Sequence, residues 1–200
     1  MGLTSKAEKT RQFIIENSAQ LFNKKRYVGT SLTDITEATK LTKGSIYGNF
    51  DDKDEVAKAV YKYNSDMLMR KISEVLNRQQ SAIAKLTALT EFYKKNWTNI
   101  NSKGGCPLMN SAIEADDNLP YLKNTIKKSF VSWADSLNEI IEAGIRDGEF
   151  KENMISKDYS NTFIMIIEGA ILLSKITDNP VHLETGLNRV LYIIENEMKR

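Results

Sequence analysis

Apolar residues recur at three- and four-residue intervals along almost the whole chain, and no stretch alternates apolar with polar as a half-buried strand would. The periodicity predicts an all-α protein of about nine helices. Ser5 with Glu8 forms an S-x-x-E capping box, and Ile14, Ser18, Leu21 and Phe22 share one face behind it. This first helix should stop near "NKKRY", whose cations suit a helix C-terminus. Ser31 can cap a second helix of two turns, with Asp34 at its third position and Ile35 and Ala38 pointing inward. Thr42 can cap a third, whose buried face is Ile46 and Phe50 at i and i+4. Asp52 and Glu55 open a long fourth helix as another capping box, with Val56, Val60, Tyr63, Met67 and then Arg70 to Ile72 continuing its stripe, as far as about residue 79. Longer helices follow near 81–100, 107–116, 120–146, 157–176 and 182–199, separated by the turn-rich "NSKGGCP", "DDNLP", "RDGEF" and "TDNP".

The pattern divides the chain into a compact front, residues 1–52, and a larger helical body, residues 53–200. Composition narrows the possibilities. Cys106 is the only cysteine, so no intrachain disulfide is possible and a reducing cytoplasm is the expected compartment. His182 is the only histidine, which weakens any histidine-based triad or multi-histidine metal site. No Gly-rich phosphate loop and no Cys/His metal spacing occur, so no catalytic residues, metal or cofactor are expected. The N-terminus "MGLTSKAEKTRQF" is polar where a secretory segment would be apolar. The longest apolar run, "FIMIIEGAILL" at 163–173, is interrupted by Glu168 and Gly169 and falls short of the roughly 20 residues that span a bilayer, so a buried helix and no membrane partner are expected. Glu114, Asp116 and Asp117 look like a solvated helix end.

Charge is distributed unevenly. Residues 1–50 hold eight Lys/Arg against four Asp/Glu, whereas the other 150 hold twenty against twenty-two. The front can therefore meet a polyanion while the body has no such bias. Its two short helices, braced by a longer first helix, have helix-turn-helix anatomy, in which the second short helix enters the major groove. Thr42, Lys43, Gly44 and Ser45 would then face the bases. Lys43 can reach a phosphate or the acceptor edge of guanine, and Gly44 lets the backbone approach a phosphate. Tyr47 can donate to a phosphate oxygen, Gly48 lies beside it, and Asn49 offers both donor and acceptor. Thr30 and Ser31 at the start of the preceding helix, and Lys53 on the next, can touch the DNA backbone. Taken singly, Lys43 is a solvated lysine, Gly44 a helix-start glycine and Tyr47 a core edge.

The segments "IIENSAQLF" and "TSLTDITEATKLTKGSIYGNFDDKDEV" resemble the N-terminal domain of TetR/AcrR transcriptional regulators. The run "T-K-G-S-I-Y-G-N-F-x-x-K-x-E" is similar to that family's recognition helix and the start of its next helix. Arg26 and Lys40 stand where the family often has a turn glycine, and Asn49 replaces a frequent histidine. The resemblance implies a homodimer joined through the last two helices, a double-stranded palindromic operator, repression as the commoner outcome, and a small-molecule inducer held in the body.

The body offers residues for both tasks. Phe163, Ile167 and Ala170 on one helix and Leu187, Leu191 and Ile194 on the next make apolar faces suited to a dimer interface, or to packing on their own body. Candidates for the inducer pocket are Tyr93, Trp97, Cys106, Met109, Ile113, Phe130, Trp133, Met165 and Glu168, each of which is also an ordinary core residue type. Cys106, between two glycines and Pro107, stands beside a helix N-terminus that favours a thiolate; the competing reading is a buried, inert thiol. Two other function classes compete with the regulator, an enzyme and a helical interaction module without DNA binding.

Overall fold

The computed structural model describes residues 5–117 and 119–200. Residues 1–4 of the polar N-terminus and the side chains of Asp116 and Asp117, with their expected solvated helix end, lie outside the described residues. Nine α-helices account for the described chain: α1 (Lys6–Lys25), α2 (Leu32–Thr39), α3 (Lys43–Tyr47), α4 (Lys53–Leu76), α5 (Ala82–Ser102), α6 (Pro107–Asp117), α7 (Pro120–Arg146), α8 (Ser156–Ile176) and α9 (Val181–Tyr192). A π-helical turn, Ile193–Met198, extends α9, and the only strand-like pairing among the described residues is an isolated bridge between Phe150 and Lys199.

The packing divides the chain into two units, one of residues 1–67 and 107–126, the other of residues 68–106 and 127–200. The first unit does not coincide with the expected front of residues 1–52, since it takes in the first half of α4 as well as α6. The first half of α4 buries Val56, Ala57, Val60 and Tyr61, and α6 and the start of α7 bury Leu108, Ala115 and Leu122, within the first unit. Its core is completed by Ile14, Phe22 and Tyr27 from α1 and its exit, Ile35 from α2, and Ile46 and Phe50 around α3.

Local signals explain the element ends. The capping box predicted for α1 and the Ser31 cap predicted for α2 both form, with Ser5 Oγ accepting from Glu8 N and Ser31 Oγ from Asp34 N, each at 3.1 Å. The box at α4 is only half made. Asp52 Oδ1 accepts from Glu55 N at 2.7 Å, but Glu55 turns its carboxylate to Asp51 N and to Arg11. In α2 the inward pair is Ile35 and Thr39, not Ile35 and Ala38, which is exposed. Residues at i and i+4 share the face, and the Thr39 hydroxyl is satisfied by donating to Ile35 O at 2.7 Å. Arg26 (φ 70°) and Lys40 (φ 58°), the two positions noted as departing from a turn glycine, both have positive φ.

In the second unit, α5, α7, α8 and α9 enclose Leu86, Leu89, Trp133, Leu137, Ile141, Phe163, Ile167 and Val190. Gly186 on α9 is required by its neighbour: a Cβ there would stand 2.7 Å from Ala170 Cβ on α8. The apolar run at 163–173 lies in α8, whose 21 residues are long and apolar enough to cross a membrane by length and composition alone. Phe163, Ile164, Ile167, Glu168, Ala170, Ile171 and Ser174 are nevertheless buried, and α8 packs along α9 as a core helix.

Candidate functional site

The outward face of α3 is built by anchoring its inward face. Ile46 is wholly buried and Phe50 nearly so, while Thr42 Oγ1 accepts from Ser45 N at 3.2 Å and starts the helix. That arrangement leaves Lys43, Gly44 and Gly48 exposed and Tyr47 46% exposed. Lys43 makes no hydrogen bond or ion pair with any described residue, so its charge is available to an anion. Asn49 is half-buried and its Nδ2 donates to Ser45 O at 2.8 Å, which orients it along the helix instead of leaving it free. Ser31 is exposed, but its hydroxyl serves the α2 cap, donating to Asp34 Oδ2 at 2.8 Å. Lys25 with the Ser31 donors holds the Asp34 carboxyl down at about 2.

Two expected DNA contacts are corrected. Thr30 is buried, and its hydroxyl donates to Arg26 O at 2.6 Å, closing the turn before α2. Lys53 Nζ donates to Thr30 O at 2.9 Å and to Tyr27 O at 3.4 Å. It fastens that same turn from α4 and is not a free phosphate ligand. The turn is held from α6 as well. Glu114 accepts from Tyr27 N at 2.7 Å and Val28 N at 3.0 Å, so it is a structural clamp and not part of a solvated helix end. Asn110 Nδ2 donates to Asn23 Oδ1 at 2.8 Å from the same helix.

Arg11 is a functional residue that the sequence reading passed over. From α1 its guanidinium donates to Asn49 O at 2.5 Å and Glu55 Oε1 at 2.6 Å, and lies 4.0 Å over the Phe50 ring. It thereby fixes the exit of α3 against the start of α4. The contact spans 38 residues, beyond the reach of helical spacing, so no local pattern announces it.

The second unit gathers only part of the expected pocket. Tyr93, Cys106, Trp133 and Glu168 are buried, whereas Trp97 and Phe130 are half-exposed. Met165 is 65% exposed and, with Phe130, lines an open groove of about 620 Å³ between α7 and α8. Met109 and Ile113 stand on α6 in the first unit, and Ile113 is 54% exposed, so neither joins this core. Cys106 is buried, and its thiol donates to Glu168 Oε1 at 2.9 Å, which fits the protected, inert reading of that cysteine. Burial raises the Glu168 carboxyl to about 7, partly offset by that hydrogen bond.

The expected dimer residues Phe163, Ile167, Ala170, Leu187 and Ile194 are all buried within the unit, and Leu191 is half-buried. Packing of α8 on α9 uses these faces, so they cannot also face a second copy. The apolar face left outward on α8 is Met165, Leu172, Leu173 and Ile176, on either side of Gly169.

A short exposed helix with a free lysine and a half-exposed tyrosine, set behind a second short helix in an all-α frame, defines a helix-turn-helix DNA-binding transcriptional regulator. Residues 14–60 match the profile described as bacterial regulatory proteins, tetR family, and residues 82–190 match that of the tetracyclin repressor-like C-terminal domain. The chain belongs to the TetR family. A TetR-family regulator from Cytophaga hutchinsonii has the same fold at 36% identity and a TM-score of 0.94, covering 99% of this chain and 98% of that one. A TetR regulator from Chloroflexus aurantiacus follows at 27% identity and a TM-score of 0.91, covering 97% and 98%. The HTH-type transcriptional repressor DhaR of Mycobacterium sp. (strain GP1) is 24% identical over 180 residues, 90% of this chain and 89% of that protein.

Proposed function

We propose that this regulator is a cytoplasmic repressor that binds a palindromic operator as a homodimer and leaves it when a small molecule enters the second unit. The observation that carries the reading is the outward presentation of Lys43, Gly44 and Tyr47 on a helix pinned by Ile46, Phe50 and Arg11. A rigidly held short helix can offer its N-terminal residues to base edges while its neighbours meet phosphates. One reader of five residues has few contacts, and two copies at a spacing of about 34–36 Å would supply the missing affinity.

The outward apolar face of α8 supports that second copy. Leu173 and Ile176 are 50% and 75% exposed, and Gly169 leaves open space beside them for close approach of another helix. An inducer must prefer the released form, and about 1–3 kcal/mol of coupling changes operator affinity by about 5- to 150-fold. Tilting of α4, which carries Lys53 at its start, is the route by which such a change would move the readers out of register. No catalysis, metal or cofactor enters this reading.

The test is binding to the DNA flanking the protein's own gene across a range of salt. Affinity should fall steeply with salt because phosphate contacts release counterions. Lys43→Ala should weaken binding and reduce the salt slope by about 1, Tyr47→Phe should weaken binding, and Ile176→Glu should lower both dimer content and affinity for the full palindrome. A salt-independent affinity, or equal binding to half and full palindromes, would exclude the reading.

A further inference from the structure

The second unit contains a buried polar cluster whose members are not mutually satisfied. Glu168 is 2% exposed; its Oε1 accepts from the Cys106 thiol, and its Oε2 has no hydrogen-bond partner among the described residues. Tyr93 is 1% exposed and its hydroxyl also has none. Burial, and after it the charges of Glu168 and Cys106, raise the Tyr93 phenol well above its ordinary range. The cluster thus holds two buried polar atoms, the Tyr93 hydroxyl and Glu168 Oε2, with no hydrogen-bond partner among the described residues. Buried polar groups are nearly always hydrogen-bonded, and an unmet one costs about 1–3 kcal/mol.

The electrostatics indicate what belongs there. No Lys, Arg or His among the described residues comes within ion-pair distance of Glu168. A carboxylate buried without a counter-ion is held back from ionising, and a cation brought to it supplies the missing charge. Tyr93, whose phenol is influenced by the Glu168 charge, adds an aromatic ring, and such rings attract cations. An anionic ligand would place a second negative charge against Glu168. A purely apolar one would leave both orphan groups unmet.

We propose that the Glu168–Cys106–Tyr93 cluster is the recognition point of the inducer site and selects an apolar amine, bound as its ammonium ion, with N–H donated to Glu168 Oε2. This rests on the reading of the protein as a ligand-released repressor, and it adds the chemical class of the ligand. Cys106 is a positioning residue: by donating to Oε1 it turns Oε2 toward the incoming cation.

The experiment uses the full-length protein and a matched set of probes: benzylamine, 2-phenylethylamine and benzyltrimethylammonium as cations, phenylacetate as the anion and ethylbenzene as the apolar control. Binding is read by calorimetry and thermal shift, and operator release by fluorescence anisotropy. At least one primary amine should bind and displace the operator, with phenylacetate and ethylbenzene at least 10-fold weaker. Glu168→Gln, close in shape, should weaken the amine at least 10-fold and leave operator binding without probe unchanged. Tyr93→Phe should weaken it about 3-fold. Equal binding of the amine by wild type and Glu168→Gln, preference for phenylacetate, or no binding by any cation would overturn the proposal. Glu168-dependent amine binding without operator release would instead overturn the inducer reading while leaving the cation site standing. If Glu168→Gln does not fold, Glu168→Asp, which withdraws the carboxylate by one methylene, should weaken the amine by a similar factor.

Discussion

Glu168 makes stability depend on pH in a direction opposite to most carboxylates. In the unfolded chain its proton leaves near 4.5, whereas in the folded protein burial holds it until about 7. Between those values the unfolded state binds fewer protons than the native one, so stability falls as pH rises and then levels off. A difference of roughly 2.5 units at about 1.36 kcal/mol per unit gives about 3 kcal/mol in all, most of which should be lost between pH 5 and pH 8. Other groups titrate over the same range, so the measurement is a difference. Urea unfolding of wild type and Glu168→Gln, at fixed protein concentration and without ligand, is compared at pH 5, 6, 7 and 8. Glutamine cannot ionise and can still accept from the Cys106 thiol. The variant should therefore gain on the wild type by about 2–3 kcal/mol between pH 5 and pH 8. Stability curves that run parallel across the range would mean that Glu168 is not withheld from ionisation, and the desolvation argument would fail.

Three further substitutions separate positioning, strain and packing. Arg11→Ala removes two charge-assisted hydrogen bonds and the stack on Phe50. It should lower stability by about 1–2 kcal/mol in urea unfolding and weaken operator binding by more than that loss explains, with Arg11→Lys in between because it loses the fork. Lys40→Gly should raise stability by about 0.5–1 kcal/mol, since relief of a left-handed residue, about 1–2 kcal/mol, exceeds the added chain entropy of glycine. Gly186→Ala gains about 1 kcal/mol of helix propensity but forces a methyl to within 2.7 Å of Ala170 Cβ. Overpacking of about 1–3 kcal/mol should win, and a higher melting temperature would show that α8 and α9 can separate at no cost.

What could be read in the chain was what depends on neighbours in sequence. Ser5, Ser31 and Thr42 each sit before a helical repeat, and each side chain accepts the predicted kind of cap bond. The turns at Arg26 and Lys40, where φ is positive, were pointed to only by the resemblance, as positions of a frequent glycine. Periodicity identified the buried faces of α8 and α9 but could not say which partner buries them. Phe163, Ile167 and Leu187 satisfy their own unit, so the face available to a second copy is the weaker stripe of Met165, Leu172, Leu173 and Ile176. Charge was misleading for a related reason. Lys53 and Glu114 resemble solvated residues in sequence, yet both are occupied by backbone groups of one turn, and only long-range packing could show that.

That turn, between α1 and α2, explains why the first unit extends beyond the fifty residues that carry the reader. Tyr27 and Val28 give their amides to Glu114, and Tyr27 and Thr30 give their carbonyls to Lys53. A short turn with a strained residue at its start would otherwise expose several polar backbone groups beside a buried Tyr27. The carboxylate on α6 and the ammonium on α4 satisfy them from opposite signs. The recognition surface therefore takes its geometry from α4 and α6 as much as from its own helices. The chain enters α6 at Pro107, directly after Cys106, which donates to Glu168. That hydrogen bond ties the last residue before the helix holding this turn to α8.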